Sequence, residues 1–119
     1  MNYEELNEKS RKEIDEKVNK FMNDSKAIDL LSSIFKVLGD PTRLKIIYAL
    51  SQSPLCVSDI SRMLNMSQSS ISHQLALLRN KDLIKVDRVG RKAIYSLDDD
   101  HVMSLFREGY EHAEHKKNN

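Results

Sequence analysis

The most constraining feature of this sequence is a pair of short amphipathic segments around a tight break, followed by a strand–turn–strand pattern. Apolar residues recur at helical spacing over 57–64 and again over 68–80, and the break between them spans 65–67. Two short helices joined by such a turn form a helix-turn-helix. Residues 83–88 and 92–97 then alternate between apolar and polar side chains around a glycine turn, which indicates a β-hairpin. A hairpin directly after a helix-turn-helix predicts a winged helix, so the expected fold class is mainly α with a β-hairpin wing (α+β).

Four further helices are predicted around this motif, at about 3–22, 25–38, 43–50 and 100–115. The first has an apolar stripe too narrow to make a stable helix alone, so we expect the N-terminal extension (residues 1–24) to contribute to a dimer interface. Asp40 suits the N-cap of the third helix. The residues expected to face the core are Ile28, Leu31, Ile34, Phe35 and Leu38 in the second helix, and Leu44, Ile47, Tyr48 and Leu50 in the third.

Composition and charge exclude several classes of protein. A chain of 119 residues is long enough for one domain, and 19 Lys and Arg nearly balance 18 Asp and Glu, for a net charge of +1. No stretch approaches the ~20 apolar residues of a membrane span, and the charged N-terminus is unlike a signal peptide. We therefore expect a cytoplasmic protein without membrane contact. Cys56 is the only cysteine, which excludes a disulfide within the chain.

The outward face of the 68–80 helix has the small, polar character of a surface that enters the major groove of DNA. At about 100° per residue, Ile71, Leu75 and Leu78 share the core face, and serines and one histidine lie opposite them. Between Arg62 and Lys92 there are seven basic and two acidic residues, a local net charge of +5 in a nearly neutral chain. We therefore expect double-stranded DNA as a partner. The predicted DNA-binding residues are Gln68, Ser69, Ser72, His73, Arg88, Arg91 and Lys92.

Each of these features has a less specific interpretation. A charged hairpin and a serine-rich helix face are also typical of a solvated surface, and winged helices also serve as protein-interaction modules. The helix-turn-helix, the serine face and the focused positive charge occur together here, and this combination favours DNA binding.

Three of the four histidines lie near the C-terminus, in a pattern typical of a metal site. His101, His112 and His115 fall on one narrow face of the predicted last helix, and Asp99 lies at its start. Eleven residues of helix separate His101 from His112 by about 16 Å, too far to share one ion within a chain. Two antiparallel copies would bring Asp99 and His101 of one chain to His112 and His115 of the other, twice. The spacing predicts a homodimer with intersubunit sites of three nitrogens and one oxygen.

An apolar strip beside the histidines supplies the expected dimer contacts. It consists of Leu105, Phe106, Gly109, Tyr110 and Ala113, and we expect the first four in the dimer interface. The predicted domains are thus the extension, a winged helix-turn-helix domain over 25–116 that ends in a dimerisation and metal-binding helix, and a disordered tail over 117–119. The histidines also have a less specific interpretation, because terminal histidines beside lysines are often only solvated and aspartates often only cap helices.

The sequence resembles the ArsR/SmtB family of bacterial metal-sensing repressors over about residues 27–115. The resemblance is carried by FKVLGDPTRLKIIYAL, LCVSDISRMLNMSQSSISHQLALLRNKDLI and GRKAIYSLDDDH. It implies a dimeric winged helix that binds operator DNA when metal-free and releases it when metal binds. Asp99, His101, His112 and His115 match the zinc site that this family carries on its C-terminal helices. The resemblance implies Zn(II) as the effector, with Co(II) or Ni(II) as alternatives, and control of metal efflux or resistance genes.

The sequence departs from relatives that bind soft metals through thiolates. Where they carry Cys-x-Cys, this chain has Cys56-Val57-Ser58, and residues 1–23 contain no cysteine. Cys56 is therefore expected to be a small buried residue. One rival is a repressor of the same fold that responds to oxidation of Cys56. The other is a zinc hydrolase, which requires an open coordination position and a general base. Four protein ligands leave no such position, so we expect no enzymatic activity and no small organic substrate.

Overall fold

The computed structural model describes residues 3–118, so the first two residues of the predicted extension and the last residue of the predicted tail lie outside the described part. The elements, in chain order, are a 3-10 turn at Tyr3–Glu5, α1 (Glu8–Met22), α2 (Ser25–Leu38), α3 (Pro41–Gln52), β1 (Leu55–Cys56), α4 (Val57–Leu64), α5 (Gln68–Asn80), β2 (Ile84–Val89), β3 (Lys92–Leu97) and α6 (Asp100–Lys117). None of the helices in 3–118 is both long and apolar enough to cross a membrane. The chain divides into two compact units, with the boundary between Phe35 and Lys36 inside α2.

The first unit contains the 3-10 turn, α1 and most of α2. Asn7 interrupts the helix predicted over 3–22, because its side chain accepts a hydrogen bond from the backbone N–H of Ser10 at 2.8 Å and so begins α1 at Glu8. Asp24 begins α2 in the same way, with Ala27 as the donor at 3.1 Å. Local capping chemistry thus fixes both helix starts.

The prediction that α2 buries its apolar residues is wrong for the single chain. No residue of α2 is buried, Leu31 is 42% exposed and Phe35 is 52% exposed, although Ile28, Ile34 and Leu38 are partly covered. The helical period shows that a face is apolar, but it does not show whether the same chain covers it. The apolar face of α2 is therefore available to a partner.

The core of the second unit is formed by α3 to α6 and the sheet. Its buried apolar residues are Ile46, Ile47, Leu50, Cys56, Ile60, Ile71, Leu75, Leu78, Leu83, Ile84 and Val102. Asp40 caps α3 as predicted, accepting from the Arg43 backbone N–H at 3.1 Å. The core face of α3 was wrongly predicted in part: Ile46 is buried, whereas Leu44 and Tyr48 are exposed. The exposed residues lie on a neighbouring face of α3.

The sheet has three antiparallel strands in the order β1-β3-β2. The predicted hairpin is confirmed, with Val89 paired to Lys92 and Gly90 at φ 64° in the two-residue turn. β1 was not predicted, because its two residues are too few to show an alternating pattern. β1 pairs Leu55 with Tyr95 and so makes β3 the central strand.

The helix-turn-helix has the predicted boundaries. Asn65 ends α4 in the left-handed conformation at φ 55°, and the Met66 backbone N–H returns to the Ser61 carbonyl at 3.1 Å. Ser67 then caps α5 by accepting from the Ser70 backbone N–H at 3.0 Å. Two caps within three residues reverse the chain tightly, and α4 contacts α5 directly.

Candidate DNA-binding surface and candidate metal site

Helix α5 separates its core face cleanly from its outward face. Ile71, Leu75 and Leu78 are fully buried. The four predicted DNA-binding residues of this helix all lie exposed on the other side, and they are Gln68, Ser69, Ser72 and His73. The burial of one face holds the other in a fixed orientation, with hydroxyl, amide and imidazole groups directed outward. These groups can donate to and accept from base edges in a major groove.

The hairpin places the predicted basic residues around its tip. Arg88, Arg91 and Lys92 are exposed and lie in or beside the two-residue turn. A guanidinium nitrogen of Arg88 lies 3.4 Å from the Arg91 carbonyl oxygen, a long hydrogen bond within the turn. Three cations at one tip form a concentrated positive surface that suits the phosphates of a nucleic acid.

A polar link that the sequence analysis missed ties α5 to the start of the second unit. The Nε of Arg43 donates to the Val37 carbonyl oxygen at 2.6 Å, and its Nη1 donates to Gln74 Oε1 at 3.0 Å. Arg43 is partly buried, and Val37 lies in the last turn of α2, where carbonyls lack partners within the helix. One guanidinium therefore joins the C-terminal end of α2 to α5, the second or recognition helix of the helix-turn-helix.

We expect Arg43→Ala to lower the free energy of unfolding by about 2–3 kcal/mol, because it breaks two hydrogen bonds of a partly buried charged donor. Urea unfolding measures the change. Gln74→Ala is the matched control: it removes one of the two bonds and is expected to cost about 1 kcal/mol. Equal losses in the two variants would show that the bond to Val37 contributes nothing.

Asp99 has two roles at the start of α6. Its Oδ1 accepts from the backbone N–H groups of His101 at 2.9 Å and Val102 at 3.2 Å, which caps the helix. The bond from Val102, together with those from His101, holds the pKa of the Asp99 carboxyl below its ordinary value. Because the folded pKa is the lower one, this stabilisation is present at neutral pH and is lost as the pH falls through that pKa.

The second carboxylate oxygen of Asp99 lies beside the imidazole of His101. Oδ2 and Nδ1 are 3.5 Å apart, and the side chains are 49% and 97% exposed, respectively. Two ligand atoms on a tetrahedral zinc ion with bonds of about 2.0–2.1 Å lie about 3.3–3.4 Å apart. The distance between these two donor atoms is therefore close to the spacing of two ligands on one zinc ion.

The other two predicted ligands lie at the far end of the same helix. His112 and His115 are exposed on α6, and neither has a hydrogen-bond partner within residues 3–118. Within that range of one chain, no group of three or more metal-ligating side chains comes together. A single chain thus brings the four predicted ligands into two pairs, and a four-ligand site remains a prediction that requires a second chain.

The apolar strip of α6 is partly used within the chain. The rings of Phe106 and Tyr110 lie 6.0 and 6.2 Å from the ring of Tyr48 on α3, which docks α6 on the winged-helix core. Tyr48, Leu105 and Tyr110 nevertheless remain exposed. Gly109 is exposed, and a Cβ built there would meet nothing within 4 Å. Three of the four predicted dimer residues, Leu105, Gly109 and Tyr110, are thus exposed in the single chain, and their role in a dimer stays a prediction.

Cys56 is 7% exposed and caps α4. Its Sγ donates to Asp59 Oδ2 at 3.1 Å, and its backbone N–H donates to the same oxygen at 3.2 Å. These bonds hold the pKa of Asp59 below its ordinary value. The prediction that Cys56 is a small buried residue is confirmed.

Comparison with known proteins identifies the family. Residues 40–86 match the family of bacterial regulatory proteins described as the arsR family. The regulator NmtR of Mycobacterium tuberculosis is 44% identical over 92 residues, which cover 77% of this chain and 77% of that protein. The chain belongs to the arsR family. A cadmium resistance regulatory protein CadC homolog of Staphylococcus aureus is 40% identical, covering 69% of each chain.

A transcriptional repressor SmtB homolog of Synechocystis is 45% identical over 82 residues, covering 69% of this chain and 62% of that protein's length. These relatives of the arsR-family chain are transcriptional regulators, and the prediction that it is not an enzyme is confirmed.

Solved structures confirm the winged-helix fold of this arsR-family protein. The solution structure of apo-NmtR matches with a TM-score of 0.67 at 43% identity, covering 77% of both chains. A homodimeric winged helix-turn-helix DNA-binding domain from Mycobacterium bovis matches with a TM-score of 0.74 at 24% identity, covering 77% of this chain and 85% of that one. At that identity the second match supports the fold alone.

Proposed function

We propose that this protein is a repressor that binds operator DNA in the metal-free state and releases it when Zn(II) binds between two subunits. The observation that carries the proposal is the pair of exposed donor groups on α6, Asp99 with His101 at one end and His112 with His115 at the other. Co(II) and Ni(II) accept the same donor types and are alternative inducers. The genes under its control would be metal resistance or efflux genes. Two relatives, named as a cadmium resistance regulatory protein and as an arsenical resistance operon repressor, support the resistance part of this proposal.

A homodimer completes this site. Asp99 and His101 of one chain would hold the ion together with His112 and His115 of the partner, giving three nitrogens and one oxygen. Exposed apolar side chains on α1 and α2, including Phe21, Leu31 and Phe35, are candidates for the rest of the interface, as are Leu105 and Tyr110 on α6. A two-fold dimer also presents two recognition helices to two half-sites.

The coupling between the metal and DNA is the difference in the free energy of DNA binding between the metal-free and the metal-bound dimer. If the metal lowers the affinity for DNA by a given factor, DNA must lower the affinity for the metal by the same factor. α6 contacts α3 and β3, and the Arg43 side chain on α3 contacts Gln74 on the recognition helix. This path of contacts supports the proposal that fixing two α6 helices together changes the spacing of two α5 helices.

The rival effector chemistry at Cys56 has less support. The Cys56 sulfur lies buried and already donates a hydrogen bond to the Asp59 carboxylate at 3.1 Å. An oxidant in solvent has poor access to such a sulfur. The proposed function therefore assigns Cys56 to helix capping.

A fluorescence-anisotropy titration tests the proposal. The metal-free protein is added to a duplex from its own promoter at fixed salt, with and without Zn(II). We expect zinc to weaken binding by about tenfold or more, a coupling of about 1.4 kcal/mol or above. The same response in Cys56→Ser would support the metal site, and its loss would favour the thiol. DNA binding that zinc does not change would overturn the metal switch and leave the winged helix in place.

A further inference from the structure

A groove with its own set of polar groups lies between the outward face of α5 and the central strand of the sheet. It has a volume of about 430 Å³. α5 contributes four of the lining residues and β3 contributes one, and they are Ser72, Ala76, Arg79, Asn80 and Tyr95. Only Ser72 belongs to the DNA-binding residues predicted from the sequence. The groove therefore extends the candidate DNA-binding surface toward the C-terminal end of α5.

The lining suits an anionic ligand that carries several acceptor oxygens. Arg79 supplies a guanidinium, Asn80 supplies an amide, and Ser72 and Tyr95 supply hydroxyl groups. None of these side chains has a hydrogen-bond partner elsewhere in residues 3–118, and the described lining contains no carboxylate. The small side chain of Ala76 leaves room for a ligand in the middle of the groove. A phosphodiester, with a formal charge and unesterified oxygens, matches this set of donors.

The two walls of the groove are held firmly. Tyr95 lies in the middle of β3, paired with Leu55 on one side and Val86 on the other. The opposite face of α5 is anchored by Leu75 and Leu78, which are fully buried. The backbone positions that carry these donors are therefore fixed before a ligand arrives, which lowers the entropic cost of binding.

The position of the groove indicates which phosphodiester it would hold. If α5 enters the major groove of DNA, the hairpin reaches the adjacent sugar-phosphate backbone. The DNA strand between these two contacts then passes through the groove between α5 and the sheet. Resting on the proposed function, we propose that Arg79, Asn80 and Tyr95 hold a backbone phosphate of operator DNA. They fix the depth and register of α5 and read no base.

The test uses anisotropy titrations of the metal-free protein of 119 residues at several salt concentrations. One duplex comes from its own promoter, and the other has the same length and a scrambled sequence. Arg79→Gln is expected to weaken binding to both by a similar factor, roughly tenfold, and to lower the salt slope by about 0.9. Arg107→Gln removes the same charge from α6, which does not line the groove. This variant is expected to change neither the affinity for the duplexes nor the salt slope.

Tyr95→Phe removes one hydroxyl and is expected to weaken binding about three- to fivefold, with an unchanged melting temperature. In the Arg79→Gln background its effect should shrink, because both groups would hold one phosphate. A loss confined to the promoter duplex would show that Arg79 reads a base and would overturn the proposal, as would full affinity in Arg79→Gln. Failure of the unmodified protein to bind either duplex would instead overturn the proposed function.

Discussion

Zn(II) is expected to have no effect on DNA binding by a His112→Ala variant, whereas the metal-free variant binds the promoter duplex as tightly as the unmodified protein. His112 is exposed on α6 and has no hydrogen-bond partner within residues 3–118, so its removal leaves the fold intact. It supplies one of the four proposed ligands, and a site with three ligands holds zinc more weakly. At a free zinc concentration that shifts the unmodified protein tenfold or more, we expect a shift below about twofold.

Asp99 offers a matched pair of controls for the same experiment. Asp99→Ala removes both the helix cap and the ligand, and it is expected to lower the free energy of unfolding by about 1 kcal/mol. Asp99→Asn keeps an acceptor oxygen at the cap but lacks the carboxylate, so we expect nearly unchanged stability together with loss of the zinc response. Thermal unfolding and anisotropy measured on both variants separate the structural role from the metal role. An undiminished zinc response in His112→Ala and Asp99→Asn would place the metal elsewhere.

The parts of the fold that follow local rules were predictable from the sequence. Ser67 and Asp40 cap their helices by accepting a backbone N–H three residues ahead, which is a short-range pattern visible in the sequence. The boundaries of α4, α5 and β3 were also predicted, because the helical and alternating spacings of apolar residues are short-range patterns too. β1 was missed because two residues become a strand only through pairing with β3, about 40 residues away in the chain.

Only those parts of the candidate site that follow from helical spacing were predictable from the sequence. Helical spacing placed His112 and His115 on one face, but it did not reveal the link from Arg43 to Gln74, which depends on two side-chain rotamers 31 residues apart. The groove between α5 and Tyr95 did not follow from the sequence either. Alternation along β3 does not show which helix packs beside that strand. Periodicity likewise could not show that the apolar face of α2 is left uncovered within one chain.

Phe35→Glu is expected to convert the proposed homodimer into monomers. The Phe35 side chain is 52% exposed in one chain. Burying the exposed half of a side chain of roughly 200 Å² contributes about 2–3 kcal/mol to the free energy of dimerisation. In a two-fold dimer, both subunits bury this side chain, so the contribution is made twice. A total of about 5 kcal/mol corresponds to a several-thousand-fold weaker dimer. Sedimentation velocity over a concentration series measures the change, and circular dichroism verifies that the helices remain folded.

Lys26→Glu is the control, because residue 26 lies nine residues before Phe35, on the opposite face of α2, and is exposed. We expect this variant to remain dimeric. The Phe35→Glu monomer should also bind Zn(II) weakly, because each proposed site takes ligands from two chains, and it should bind one half-site of DNA at a time. A variant that stays dimeric would remove α2 from the interface. A monomer that keeps full zinc affinity would contradict the intersubunit site itself, since no group of three ligands exists within residues 3–118 of one chain.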